Sequence, residues 1–243
     1  MNTNDDFFND LQNNAYVFSY GGSGTNYLLK ILTKNQDNEE IKEYLTEDEK
    51  KIKNENYFNL INIIHNFQPQ NINKNNFIGI FIFSNPILST YSVFRRKLPN
   101  VIDLLSKKNI INTVFNNIEA EIDSHSIFKN QSPQRSIRQV LEKYNYDFLN
   151  LNEHFNNWIN AKVNYPIIYI NYDLIDKNKL QEIFILLKNR YNVHYNQNEI
   201  DNFKSRNHII LDDNIYKKLE KIYQPLIDKI NSLPIYWIKN PIK

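Results

Sequence analysis

The chain has no cysteine, only four glycines among its 243 residues, and no large excess of charge of either sign. Without cysteine there are no disulfides, no thiolate catalysis and no cysteine-ligated metal, although the compartment stays open because secreted proteins can also lack the residue. The near balance of 29 Lys+Arg against 27 Asp+Glu gives a formal charge of +2, too small for the strong positive field of a general nucleic-acid binder. No nucleic acid is therefore expected as a partner. No apolar run approaches the roughly 18 residues of a membrane span, so none is expected. The opening stretch, MNTNDDFFNDLQNN, is acidic and amide-rich where a signal peptide is basic and then apolar. The expectation is a cytoplasmic or otherwise intracellular protein.

What is present is enough for a core: 41% hydrophobic and 14% aromatic residues offset a heavy use of Asn, Ile and Lys, which fits an AT-rich genome better than it marks a function. The length accommodates one sizeable α/β domain, read as residues 15–243 behind a polar tail at 1–14. The run Ala15–Tyr20 has strand composition and stops at Gly21-Gly22, after which Tyr27, Leu28, Ile31 and Leu32 fall at helical spacing. Residues 37–56 are charged and read as an exposed helix. Two β-rich runs follow, Phe58–His65 and Phe77–Phe83. The second ends at Ser84-Asn85-Pro86, where Asn85 suits a helix cap and Pro86 a first helical position, so a helix is predicted from Pro86 to about Lys97. Helices are predicted over most of 101–161, with a polar break around Lys129–Pro133. A strand at Pro166–Ile170, a helix from about Lys179 to Tyr191 and a last helix from about Asp213 to Ser232, kinked at Pro225, complete the reading. Short apolar strands separated by helices imply a mostly parallel sheet with helices on both faces, and in such sheets ligands sit beyond the carboxyl ends of the strands. Gly21, His65 and Ser84 all fall there.

Three of the four glycines, Gly21, Gly22 and Gly24, lie in one turn between the first strand and the first helix. Glycine is needed where backbone N–H groups must approach an anion without a Cβ in the way, and a helix start adds about half a positive charge. Ser23, Thr25 and Asn26 can add side-chain donors. An ordinary tight turn is the plainer alternative. A Walker-type loop requires Lys and then Ser or Thr after its last glycine, whereas Gly24 is followed by Thr25-Asn26, which argues against a nucleotide kinase.

The segment Tyr20-Gly21-Gly22-Ser23-Gly24-Thr25-Asn26-Tyr27 resembles the 5′-phosphosulfate loop of the sulfotransferase family, usually Tyr-Pro-Lys/Arg-Ser-Gly-Thr-Thr-Trp. The resemblance implies a P-loop-type α/β fold and a donor, 3′-phosphoadenosine 5′-phosphosulfate, with no metal. It sets Tyr27 where the family has an aromatic residue near the adenine. Ser84-Asn85-Pro86, with Ser92 eight positions after Ser84, is similar to the family's 3′-phosphate site, Arg-Asn-Pro followed by a serine at that spacing. A second capped helix start after a second strand is, on its own physics, a second anion site. Ser89, Ser92 and Arg96 share one helix face, so Arg96 can contribute charge, while Arg95-Arg96-Lys97 can equally be a solvated helix end.

The resemblance makes His65, at a strand end, the general base that takes the acceptor's proton; a lone strand-end histidine can also be structural. Tyr169-Ile170-Asn171-Tyr172-Asp173-Leu174 is similar to the family's strand ending in Tyr-Glu-Asp-Leu, after a helix carrying Trp158. The resemblance makes Tyr172 a nucleotide-facing tyrosine, although a strand-end tyrosine can equally cap the core. Lys204-Ser205-Arg206 stands about where the family closes a basic loop, which makes Arg206 a candidate for the 3′-phosphate. His125, His154, His194 and His208 have no companion at metal-ligand spacing. Two departures stand out: Gly22 replaces the loop cation and Ser84 the arginine of the 3′ site. The expectation is sulfuryl transfer to a small-molecule or glycan acceptor through a hydroxyl or amine. The alternative is a catalytically degenerate sulfotransferase-like fold that binds a nucleotide or glycan without turnover.

Overall fold

The computed structural model describes residues 14–32, 67–96, 132–204 and 209–241. The expected helix at 37–56, the run Phe58–His65, Lys97 and the helices expected within 101–131 lie outside them. The chain divides into two compact units, the first formed by Met1–Phe83, Phe155–Arg206 and Leu233–Lys243, the second by Ser84–His154 and Asn207–Ser232.

The first unit holds a four-stranded sheet in the order β1 (Ala15–Ser19), β2 (Ile78–Phe83), β3 (Ile167–Asn171) and β4 (Tyr236–Lys239). The first three run parallel, with Val17 opposite Ile80 and Ile80 opposite Ile168. Every residue of these three strands is buried, which is why they read as unbroken apolar runs rather than alternating ones. Gly79, the glycine outside the loop, lies under the Tyr165 ring: a Cβ there would come within 2.9 Å of it. Trp158, on α4 (Leu151–Ile159), stacks on Phe81 at 4.8 Å, and its backbone carbonyl accepts from the Tyr169 hydroxyl at 2.7 Å. Such ring pairs contribute about 0.5–1.5 kcal/mol beyond their burial.

β4 was not expected from the sequence. It pairs antiparallel with β3, Trp237 opposite Tyr169 with the two rings stacked at 4.6 Å, and its residues are only half-buried, as befits an antiparallel strand added to a parallel sheet. Helix α1 (Thr25–Leu32) packs on β1 and buries Leu28, Leu29, Ile31 and Leu32. Helix α5 (Lys177–Tyr191) starts two residues earlier than expected, because the Asp176 side chain accepts the N–H of Lys179, and it ends at Asn192, whose φ of 54° is left-handed. A short unexpected helix, α6 (Gln197–Asp201), packs on both α1 and α5.

The second unit contains three mutually packed helices, α2 (Pro86–Arg96), α3 (Pro133–Lys143) and α7 (Asp213–Asn231). On α7 the buried Ile215, Leu219, Tyr223, Leu226 and Ile230 form one stripe, and the helix is continuous through Pro225. Ser132 caps α3 and Asp212 caps α7, the latter accepting the N–H groups of Asn214 and Ile215. Tyr223 donates to Asp147 at 3.0 Å, tying α7 to the turn after α3. The architecture is thus a mostly parallel four-strand sheet with flanking helices, an α/β arrangement of the kind expected.

Candidate functional site

The glycine loop leaves the carboxyl end of β1 and closes on itself before α1 begins. At its neck the Ser19 and Thr25 hydroxyls are hydrogen-bonded at 2.7 Å, and the Ser19 hydroxyl also accepts the N–H of Gly21 at 3.1 Å. Inside the loop Ser23 donates to the Gly21 carbonyl at 3.0 Å. These bonds explain the serine and threonine content of the segment: the Ser19 and Ser23 hydroxyls each hold a backbone group of Gly21, and Thr25 ties Ser19 to the start of the helix. Gly21, Gly22 and Gly24 have φ values of 92°, 70° and 83°, a region that side chains with a Cβ rarely enter. The Gly24 carbonyl then accepts from both Tyr27 N–H at 3.0 Å and Leu28 N–H at 3.2 Å, starting the helix. Gly21 to Thr25 are all buried, and Asn26 and Tyr27 are half-buried.

Tyr172 follows β3, and its N–H is held by the Phe83 carbonyl at 2.8 Å. Its ring lies on Gly24 so closely that a Cβ at Gly24 would stand 2.5 Å from two ring carbons. Tyr27 packs against Phe203 at 5.4 Å between ring centres, and Tyr172 meets the same Phe203 edge to face at 6.4 Å. The Tyr27 hydroxyl donates to the backbone carbonyl of Glu199, in the middle of α6. Burial, then the neighbouring Glu199 carboxylate and Tyr172, push the Tyr27 hydroxyl up to about 12, so it stays a neutral donor at physiological pH. The loop therefore carries an aromatic wall of Tyr27, Tyr172 and Phe203.

Of the candidate residues in this unit, the structure brings Gly21, Gly22, Ser23, Gly24, Thr25, Tyr27 and Tyr172 together at one strand end. Asn26 stands on the first turn of α1. Sequence reasoning missed Phe203 and Glu199. Phe203 had a usable signal, since an aromatic directly before Lys204-Ser205-Arg206 can act as the anchor of that loop; Glu199 takes part through a backbone carbonyl and had none. His65 and Arg206 lie outside the described residues.

In the second unit the start of α2 is as expected: the Asn85 side chain accepts the N–H of Ile87 at 2.8 Å and Pro86 occupies the first position. The Ser84 and Ser89 hydroxyls are buried and bonded to each other at 2.6 Å. Ser92 is buried as well, Arg96 is half-buried and Arg95 is exposed. Thr90 donates back to the Pro86 carbonyl at 2.8 Å, which settles its hydroxyl within the helix. Chemically this is a capped helix start lined by hydroxyls, with its arginines on the last turn.

Among the described residues no group of three or more His, Asp or Glu side chains is placed to hold a metal ion, and no helix is long and apolar enough to cross a membrane. No family model, no curated protein and no solved structure matches the chain.

Proposed function

We propose that the chain is a P-loop-type sulfotransferase that moves a sulfuryl group from 3′-phosphoadenosine 5′-phosphosulfate to a hydroxyl or amine of a small-molecule or glycan acceptor inside the cell. One observation carries the reading: a strand-to-helix loop whose three glycines all have positive φ, braced by Ser19, Ser23 and Thr25 and walled by Tyr27 and Tyr172. Left-handed glycines turn successive N–H groups toward one side of a loop, and a helix start adds its positive end, which together suit a phosphate.

In this reading His65 removes the acceptor proton as the acceptor oxygen or nitrogen bonds to sulfur. The bond from sulfur to the bridging oxygen breaks, and the loop Gly21–Thr25 with Asn26 holds the departing 5′-phosphate. Tyr27 and Tyr172 bound the adenine end, and it is the resemblance alone that assigns the 3′-phosphate to Ser84, Ser92 and Arg206. Catalysis is then positioning with electrostatic stabilisation, as in phosphoryl transfer. The binding-only alternative draws on Ser84, whose hydroxyl is already engaged by Ser89 where the resemblance expects an arginine.

The test is thermal melting with 3′-phosphoadenosine 5′-phosphate, AMP and ATP. A ligand at about 100 times its Kd stabilises the native state by about 2.7 kcal/mol. The bisphosphate is expected to raise the melting temperature most. Equal shifts for AMP and the bisphosphate remove the second anion site, and no shift with any nucleotide removes the reading altogether. Turnover of radiolabelled donor then separates the enzyme from the binding-only form.

A further inference from the structure

The second unit contains an open cleft of about 590 Å³ whose lining includes Tyr91 of α2 and Arg135, Arg138, Gln139 and Glu142 of α3. That volume is in the range of roughly 300–1,000 Å³ typical of small-molecule sites. The four α3 residues stand at i, i+3, i+4 and i+7 and so form one helix face. Arg138 is engaged, its guanidinium bonded to Asp212 at 3.0 Å. Arg135 and Glu142 make no ion pair among the described residues. Seven residues apart, their Cα atoms are separated by about 10 Å along the axis, too far for them to neutralise each other directly.

Both charges oppose the helix dipole. Arg135 is in the first turn, which has no acidic residue, and Glu142 is in the last, whereas a helix is stabilised by anions at its start and cations at its end. Only Lys143 follows that rule. The two misplaced charges therefore lower the stability of α3 unless something pairs with them, and both face the same cleft. A ligand with an anion at the Arg135 end and a cation at the Glu142 end would meet a side chain and the matching helix pole at each end. Gln139, between them, has a buried Oε1 without a hydrogen-bond partner among the described residues, a group that gains from any donor brought within reach by a turn of its side chain.

We propose that this cleft binds an extended zwitterion of short-peptide length, carboxylate toward Arg135 and ammonium toward Glu142, with Tyr91 forming part of the wall. An extended chain covers about 3.3–3.6 Å per residue, so three residues match the span of about 10 Å. The site is independent of the glycine loop, and its fate does not bear on the sulfotransferase reading.

The experiment titrates isotope-labelled full-length protein with triglycine, N-acetyl-triglycine and triglycinamide, following backbone amide shifts on α3. Saturable shifts with triglycine are expected, and capping either end is expected to weaken binding about fivefold or more. Glu142→Gln should weaken triglycine as acetylation does and leave the acetylated peptide unaffected; Arg135→Gln should do the same for the amide. Both residues are exposed, so neither change threatens the fold. Absence of saturable shifts, equal affinities for the three peptides, or sensitivity at only one end would each overturn the proposal.

Discussion

Replacing Gly24 by alanine separates two strains that the loop combines. Its φ of 83° alone costs a residue with a Cβ about 1–2 kcal/mol. The new Cβ would also stand 2.5 Å from the Tyr172 ring, well inside contact distance. The Tyr172 backbone is held by the Phe83 carbonyl and its half-buried ring meets Phe203, so the ring can rotate clear only by losing that contact. Overpacking of this kind costs about 1–3 kcal/mol, which brings Gly24→Ala to roughly 2–5 kcal/mol in all. Urea denaturation of wild type, Gly24→Ala, Tyr172→Ala and the double variant measures the two parts. In the Tyr172→Ala background only the backbone strain remains, so Gly24→Ala should cost about 1–2 kcal/mol there, and the difference is a coupling of about 1–3 kcal/mol. If Gly24→Ala costs the same in both backgrounds, the ring does not rest on the loop and the aromatic wall is misplaced.

What could be read from the sequence was local. Asn85-Pro86 announces α2 because a cap and a proline act within a single turn, and the glycine loop is visible because three of four glycines have no other reason to crowd into four positions. β1, β2 and β3 were legible as apolar runs because all their residues are buried. β4 was not, since four half-buried residues carry too little pattern, although Pro234 followed by Ile235-Tyr236-Trp237-Ile238 is a usable strand signal. α6 is five residues long and escaped for the same reason.

The less legible features are those where distant segments meet. Tyr172 could be nominated by resemblance, yet nothing near it in the chain says that its ring requires a glycine at position 24. The same holds for Gly79, which in sequence only weakens a strand and in space makes room for Tyr165. Ser84 illustrates the opposite case: beside a helix start it reads as a lone phosphate donor, whereas its hydroxyl shares a hydrogen bond with Ser89 one turn into α2, so a phosphate there would meet a hydroxyl pair. Sequence identifies which groups are available, and packing decides which of them are already coupled to one another.

Asn85→Ala should cost about 1 kcal/mol in chemical denaturation, because it strips the Ile87 N–H of its acceptor. Tyr27 is raised from its ordinary 10.0 to about 12, so its contribution to stability is complete below about pH 10 and lost as pH rises through 12; the fall over that interval should be shallower in Tyr27→Phe, measured by denaturation at each pH. If His65 is the base, His65→Ala should lower turnover about 10²–10⁴-fold and leave bisphosphate affinity unchanged, whereas joint loss of affinity and melting temperature would make it structural. Gly22→Lys sets stability and activity against each other. Gly22 is buried with φ at 70°, so lysine there should lower stability by about 1–2 kcal/mol from backbone strain before any packing cost, and the melting temperature with it. Yet a cation beside the bridging oxygen, where charge develops as the S–O bond breaks, contributes about 3–4 kcal/mol in comparable sites. If the loop holds the leaving phosphate, turnover of radiolabelled donor should therefore rise in a protein that has become less stable. A fall in melting temperature with no gain in turnover, in a variant that still binds the bisphosphate, would show that position 22 does not face the departing group, and the loop would then be a nucleotide clamp rather than part of a catalyst.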